Sequence, residues 1–561
     1  MPAPKTSALR KHIETALNAF GDGLRLLRLR GPGQIQFWFI ALAVGIAAGF
    51  AALFFRKGVN ALQTYLYGTE DVRLLHSFVE SLPWYLILII PICGGLVVGI
   101  ILHIFTKDAR ARSVADVIYG AAMQNGRVET RAGLASALAS MITLGTGGST
   151  GREGPVVHLA AVISTWVNRR ILADGITGRD LLGCAVAAAV SASFNAPIAG
   201  ALFALEVVLR HFAVHAFAPI VIASAAGTVI NRLEFGGVTE FNLGTVNEVQ
   251  FYQEMPAYLL LGLVSGIVAV ALMRAIFWAD DVGTEVQQKF RIPRWLRPAF
   301  AGAMLGGIAI YFPHIIGVGY ETTFLALNGQ LLLWEAIVFT VIKTAAVAIT
   351  MAGRMGGGVF SPSLMIGALT GLSFGLIATS IFPDVSGSIS LYALAGMGAV
   401  AAAVLGAPIS TTLIVFELTG DWQTGLAVMV AVSLSTALAS QLVDRSFFLT
   451  QLERRNIHLA AGPQAYLLAM LRVSAVVRDN SELSAAERIA CAQQFEDGVH
   501  IYPDATLEAA MPMFDKGATF VPVVSRPSNA APSQVVGALF HVDALKVYNR
   551  ALAATAAEEH S

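Results

Sequence analysis

The sequence predicts an all-α, multi-pass membrane protein with a small α/β tail, and three observations carry that reading. The 561 residues are 55% hydrophobic and 13% charged, whereas a soluble chain is about 25% charged. Apolar segments follow one another from about residue 37 to residue 442. The charge density then rises abruptly after Phe448 and keeps ordinary globular patterning to Ser561. The 37 basic and 37 acidic residues cancel, so no charge excess points to nucleic acid. Cys93, Cys184 and Cys491 stand far apart without metal-ligand spacing, which argues against a disulfide framework or a zinc site. No cofactor is expected from these patterns.

Residues 1–34 read as a cytoplasmic N-terminal segment. Lys5, Arg10, Lys11, Arg25, Arg28 and Arg30 precede the first long apolar run, and the stretch lacks the features of a signal peptide. Leu9, Ile13, Leu17, Phe20, Leu24 and Leu27 recur at helical spacing, predicting an interfacial helix over 9–30. The first span starts at Phe37-Trp38-Phe39 and runs to Phe55. Apolar segments follow near 84–106, 131–145, 155–168, 180–190, 197–209, 214–230, 255–280 and 297–313, then near 332–352, 360–380, 390–404, 408–419 and 422–442. A helix needs about 20 residues to cross the hydrocarbon, so the shorter runs predict helices that stop inside the membrane. Their free backbone groups are tolerable only beside protein or an aqueous pathway. A transport domain is thus expected over 35–455 and a cytosolic tail over 456–561.

An internal repeat organises the transport domain. Asn195-Ala196-Pro197-Ile198 through Glu206 matches Gly406-Ala407-Pro408-Ile409 through Glu417, with five of twelve positions identical at an offset of 211. A shift of 207 pairs Ile142-Thr143 with Ile349-Thr350, Gly151 with Gly358 and Pro155 with Pro362. Two halves, about 84–235 and 255–442, share one plan, which places a binding site at the repeat interface. Each half carries a Gly-rich stretch ending in proline before an apolar helix, Gly145 to Pro155 and Gly353 to Pro362. Helix starts of this kind, with free N–H groups and the positive dipole end, form an anion site. The alternative is that the glycines only allow close helix packing, but packing does not call for a glutamate within the loop.

Gly151-Arg152-Glu153-Gly154-Pro155, Gly358-Val359-Phe360-Ser361-Pro362 and Asn195-Ala196-Pro197 together resemble the CLC family of chloride channels and chloride/proton exchangers, over roughly residues 35–455. The resemblance implies a homodimer with a separate anion pathway in each subunit, built from two inverted repeats. It implies that the backbone of Val359 and Phe360, with Gly154 beside them, faces the central anion, and that Glu153 is the gate. An ionised carboxylate at a helix N-terminus mimics the permeant anion and blocks; a protonated one can leave. The competing reading of Glu153 is an ion pair with Arg152, which is disfavoured because adjacent residues on a helix point apart. In the tail, His500 to Leu507, Phe520 to Val524 and Val536 to Phe540 before Asp543 resemble one cystathionine-β-synthase (CBS) repeat, with a weaker start at Leu471-Arg472-Val473. The alternative is a packing domain without a ligand; a nucleotide there is unsupported by any residue.

Three positions depart from the family pattern. Arg112-Ser113-Val114-Ala115-Asp116 keeps the serine, so Ser113 is the candidate hydroxyl ligand, but valine at 114 takes a positive φ less readily than glycine. Asp116 is a candidate cap of the short helix that follows. Phe448 stands where a tyrosine usually offers a second hydroxyl to the anion; its alternative is a simple core aromatic. Val207 stands where exchangers carry a proton-relaying glutamate, and cannot hold a proton. Glu206, matched by Glu417, reads as structural or as a substitute relay.

These departures favour a chloride channel gated by Glu153. The runner-up is a chloride/proton antiporter with a non-standard internal proton path. A fluoride exporter is disfavoured because Glu153-Gly154-Pro155 is intact. An intramembrane enzyme using Glu153 and His158 is disfavoured too, since five residues of helix rotate the pair about 140° apart and no catalytic motif is present. Chloride, protons and lipid are the expected partners, and a bacterial inner membrane with both termini cytoplasmic is the expected location.

Overall fold

The computed structural model describes residues 33–69, 71–171, 176–212, 214–236, 251–383, 385–386, 388–419, 422–457, 459, 467–468, 471–515, 517–525 and 534–560. The interfacial helix expected over 9–30 lies outside them. The chain divides into two compact units, the described residues of Met1–Leu209 and Ala218–Ile457 in one, those of Arg210–Phe217 and His458–Ser561 in the other.

The large unit is helical. The first half holds α1 (Gln34–Tyr67), α2 (Leu75–Glu80), α3 (Trp84–Phe105), α4 (Val114–Met123), α5 (Thr130–Gly145), α6 (Glu153–Ile171), α7 (Ile176–Phe194), α8 (Pro197–Phe203) and α9 (Val214–Phe235). The second holds α10 (Phe251–Lys289), α11 (Arg297–Ala309), α12 (Tyr320–Leu327), α13 (Leu333–Ala352), α14 (Phe360–Ile381), α15 (Ile389–Leu405), α16 (Pro408–Thr419), α17 (Trp422–Leu442) and α18 (Phe447–Glu453). Among the described residues seven helices are long and apolar enough to cross a membrane, while Val114–Met123, Pro197–Leu209, Ile389–Leu405 and Pro408–Thr419 are apolar but short.

Not every short apolar run makes a short helix. α6 and α7 each extend to 19 residues, because polar residues such as Glu153, Asn168 and Arg179 continue the helix inside the protein, where they are buried. The helix α12 and the terminal α18 were too short for periodicity to reveal. Backbones come close between α14 and α15, where a Cβ at Gly371 would lie 2.1 Å from the Tyr392 carbonyl oxygen and one at Gly367 2.4 Å from that of Gly396. Close approach of this kind holds helices together where lipid removes the hydrophobic drive.

The repeat is visible as a two-fold in the contacts. Gly151 and Gly358 exchange both backbone hydrogen bonds, N to O distances 2.7 and 2.9 Å, as an isolated antiparallel bridge. Asn195 and Gly406, equivalent at the offset of 211, both take left-handed φ, 57° and 67°, and each precedes by two residues a helix with proline at its first position.

The small unit contains a three-stranded antiparallel sheet in the order β1 (Arg478–Asp479), β3 (Val535–Phe540), β2 (Phe520–Val524). Helices α19 (Ala485–Glu496), α20 (Leu507–Asp515) and α21 (His541–His560) accompany it. The four segments singled out in the sequence meet in it. Val473 N donates to the Ala505 carbonyl at 2.9 Å, Ile501 bridges Val523 in parallel, and Val473, Ile501, Leu507, Val521, Val523 and Leu539 share one core.

Candidate anion site

The site forms where the two Gly-rich loops meet. α6 begins at Glu153 and α14 at Phe360, and the Gly151–Gly358 bridge ties their starts together. Only glycine suits the join. Gly357 has φ +147°, and a Cβ there would fall 2.0 Å from Thr150 Oγ1. Thr150 Oγ1 also donates to the Gly358 carbonyl at 2.9 Å. A helix start leaves its first N–H groups without an acceptor inside the helix, so two positive dipole ends converge on one place.

A cavity opens at that place. It is lined by both helix starts, through Glu153, Gly154, Val359 and Phe360, by Ser113 and Val114 at the start of α4, and by Phe447, Phe448 and Gln451 of α18. Six of the residues named from the sequence, Ser113, Glu153, Gly154, Val359, Phe360 and Phe448, therefore line one cavity. Phe448 is buried, its ring edge-on to Phe447 at 5.9 Å between centroids. Phe360 packs on Phe194 and Phe203, at 4.7 and 5.9 Å.

Glu153 is 2% exposed. Its Oε1 accepts from Ser361 Oγ at 2.5 Å, while Oε2 has no hydrogen-bond partner among the described residues. A Cβ at Gly151 would lie 2.7 Å from that Oε2, so glycine leaves the carboxylate its space. Arg152 is closer than the helical argument allowed. Its Nε lies 3.8 Å from Glu153 Oε1, because Arg152 precedes the first turn of α6 and the rule that adjacent helical residues diverge does not govern it. The same guanidinium donates to the Ser193 carbonyl at 3.1 Å and covers the Tyr320 ring.

Ser113 sits at the start of α4 in extended backbone, φ −139°. Its N–H donates to Asp116 Oδ2 at 2.8 Å, which caps the helix, and Asp116 Oδ1 accepts from Arg455 at 2.8 Å. Val114 is already helical, so the expected conflict at 114 does not arise; the left-handed residue in this loop is Ala109, φ 50°.

Glu206 and Val207 do not line the cavity. They lie in a π-helical turn, Ala204–Leu209, that continues α8, a local geometry that recurs at functional positions. Glu206 crosses to the other repeat, accepting from Ile409 N at 2.9 Å, Ser410 N at 2.8 Å and Ser410 Oγ at 2.6 Å at the start of α16. Glu417 returns the contact, accepting from Ile198 N at 3.0 Å and Ala199 N at 2.8 Å at the start of α8. Val207 is buried and apolar.

Sequence reasoning missed a second cavity that shares Ser113, Met351, Gly357 and Gln451 with the first. Arg110, Arg354, Arg454 and Arg455 line it against one acid, Asp280. These arginines come from three distant segments, and only folding gathers them. In a separate cavity that also includes Arg110, Arg354 and Arg455, Asp108 is partly buried, which would raise its carboxyl, but the hydrogen bond and charge of Arg112 hold it below the usual carboxylate range. Ion pairs of Arg455 with Asp116, Arg454 with Asp281 and Arg110 with Asp280 partly offset the positive charge of these arginines.

Comparison with known proteins agrees with this architecture. The model of the voltage gated chloride channel family matches residues 94–440. A ClcB-like chloride channel protein of Ralstonia nicotianae is 31% identical over 401 residues, covering 70% of this chain and 91% of the relative. The voltage-gated ClC-type chloride channel ClcB of Escherichia coli is 28% identical, covering 73% and 97%. The structure of a slow cyanobacterial Cl−/H+ antiporter superposes with a TM-score of 0.67 at 20% identity, over 76% of this chain and 98% of that one, a likeness of fold. By its matched residues, its relatives and its fold, the chain belongs to the CLC family of voltage gated chloride channels.

Proposed function

We propose that the chain conducts chloride passively, with the Glu153 carboxylate as the gate, in each subunit of a homodimer in a bacterial inner membrane. The observation that carries this reading is the burial of Glu153 in the cavity where both repeats present helix starts, with Oε2 left without a partner. A carboxylate there occupies a place suited to a halide. Protonation removes its charge and the competition with chloride ends. Ser113, the backbone at Gly154, Val359 and Phe360, and the ring edge of Phe448 form the remaining anion contacts, and the arginine-lined cavity is the cytoplasmic mouth.

Passive conduction is favoured over exchange because no side chain is free to relay a proton at the position where exchangers carry one. Val207 has no titratable atom, and both oxygens of Glu206 are engaged by N–H and O–H donors of α16. The exchanger reading rests on Glu153 itself, a protonatable group inside the pathway, supplied through water. The test is chloride efflux and external pH recorded together from vesicles of purified protein under an outward chloride gradient. Chloride efflux without uphill proton uptake, made faster and insensitive to pH by Glu153→Gln, is expected. Uphill proton uptake that Glu153→Gln abolishes would establish an exchanger, and absence of chloride flux would overturn both.

A further inference from the structure

Among the described residues, the cavity at the two helix starts is lined by three polar side chains, Glu153, Ser113 and Gln451. The third is not explained by the helix starts, the gate or the serine. Gln451 lies on α18 one turn beyond Phe448, and it lines the arginine-bearing cavity as well. It therefore stands, with Ser113, where the two spaces join. Its amide oxygen is 3.5 Å from Ser113 Oγ, at the outer limit for a hydrogen bond.

We propose that Gln451 is an anion ligand at this junction, its amide N–H group donating to chloride as it passes between the arginine-lined mouth and the buried site. The proposal rests on the chloride-transport reading above and deepens it. An amide has an oxygen end and a nitrogen end of nearly equal shape. Turned by 180°, Gln451 places Nε2 where Oε1 now lies, so one N–H donates to Ser113 Oγ. The Ser113 hydroxyl hydrogen and the second amide hydrogen are then both free for the anion. In the present orientation the single Ser113 hydroxyl hydrogen points instead to Gln451, and the pair is self-satisfied. The junction thus keeps one internal contact with its direction reversed and gains two donors for the anion. Being neutral, the amide does not trap the ion as a lysine would. It also supplies a donor on the face of the cavity where Phe447 and Phe448 supply none.

The experiment is calorimetric titration of chloride into purified protein, for the wild type, Gln451→Leu, Gln451→Met, Gln451→Glu and Ser113→Ala, with apparent melting temperature recorded for each. Hydrogen bonds to a charged partner predict a chloride affinity about tenfold weaker in Gln451→Leu or Gln451→Met, at unchanged melting temperature, and a larger loss in Gln451→Glu. The methionine variant keeps the length of the side chain if leucine disturbs packing. Wild-type affinity in Gln451→Met and Gln451→Glu, with Ser113→Ala weakened, would overturn the proposal and leave the transport reading intact. Absence of both chloride binding and chloride flux in the wild type would overturn the transport reading and the proposal with it.

Discussion

Glu206→Gln separates a helix cap from a proton relay. The carboxylate accepts three hydrogen bonds at the start of α16, two from backbone N–H groups and one from Ser410 Oγ. Glutamine keeps one acceptor oxygen and turns an NH2 group toward donors that then lack a partner. Charge-assisted bonds contribute about 1.5–3 kcal/mol each, and a buried donor left unpaired costs a similar amount. With the site half-buried, the expected loss is about 2–4 kcal/mol. Glu417→Gln removes the equivalent cap from α8, where two donors are held, and should cost about 1 kcal/mol less. The assay is the apparent midpoint of unfolding in detergent for both variants, with chloride flux per folded molecule in vesicles. Both should melt earlier, Glu206→Gln by more, and the flux and its pH dependence should stay within about twofold of wild type. A Glu206→Gln protein as stable as wild type whose flux loses its pH dependence would refute the capping argument and restore the relay.

Three further outcomes follow from the geometry. Ser361→Ala removes the 2.5 Å hydrogen bond to Glu153 Oε1, so the gate should leave the cavity more readily and vesicle chloride efflux at neutral pH should rise about tenfold. Gly357→Ala forces a side chain onto φ +147° and a Cβ to 2.0 Å from Thr150 Oγ1; a loss of about 2–4 kcal/mol, read as a lowered unfolding midpoint, is expected. His314, in the loop after α11, packs between the His76 ring at 4.3 Å and the Phe339 ring at 4.1 Å. Burial, then the neighbouring His76, push its pKa down to about 4. Its folded-state pKa lies below the unfolded value near 6.5, so the unfolded chain binds the proton first. Stability is full above about pH 6.5, falls as pH drops toward 4 and is level below, by about 1–2 kcal/mol after solvent screening. His314→Phe should lessen the slope of that part of a melting-temperature profile without abolishing it, because burial holds His76 down to about 4 as well.

The two helix starts were legible because they lie in runs that physics reads directly, whereas Ser113 and Phe448 were named only through the family resemblance. Gly-rich loops ending in proline before apolar helices announce helix starts, and helix starts attract anions. The offset of 207 that paired Gly151 with Gly358 in the sequence reappears as two exchanged backbone hydrogen bonds, and the offset of 211 reappears as the mutual capping by Glu206 and Glu417. Helix lengths were less legible. α6 and α7 continue past their apolar cores, since inside a helical membrane protein a polar residue such as Asn168 faces neighbours rather than lipid and no longer ends the segment.

Hydropathy, the internal repeat and the family motifs thus determined, without coordinates, that this is a membrane-embedded, two-fold, anion-handling chain. Those properties are written in local composition and in equal spacing along the chain, which need no knowledge of what meets what. The tertiary structure alone decided that Arg152 stands within 3.8 Å of Glu153 and that Glu206 spends its oxygens on the opposite repeat. It alone gathered Arg110, Arg354, Arg454 and Arg455 around one cavity and set Gln451 beside Ser113, 338 residues away in sequence. Each of these is a contact between residues that share no periodicity and no segment, and such contacts exist only once the helices have packed.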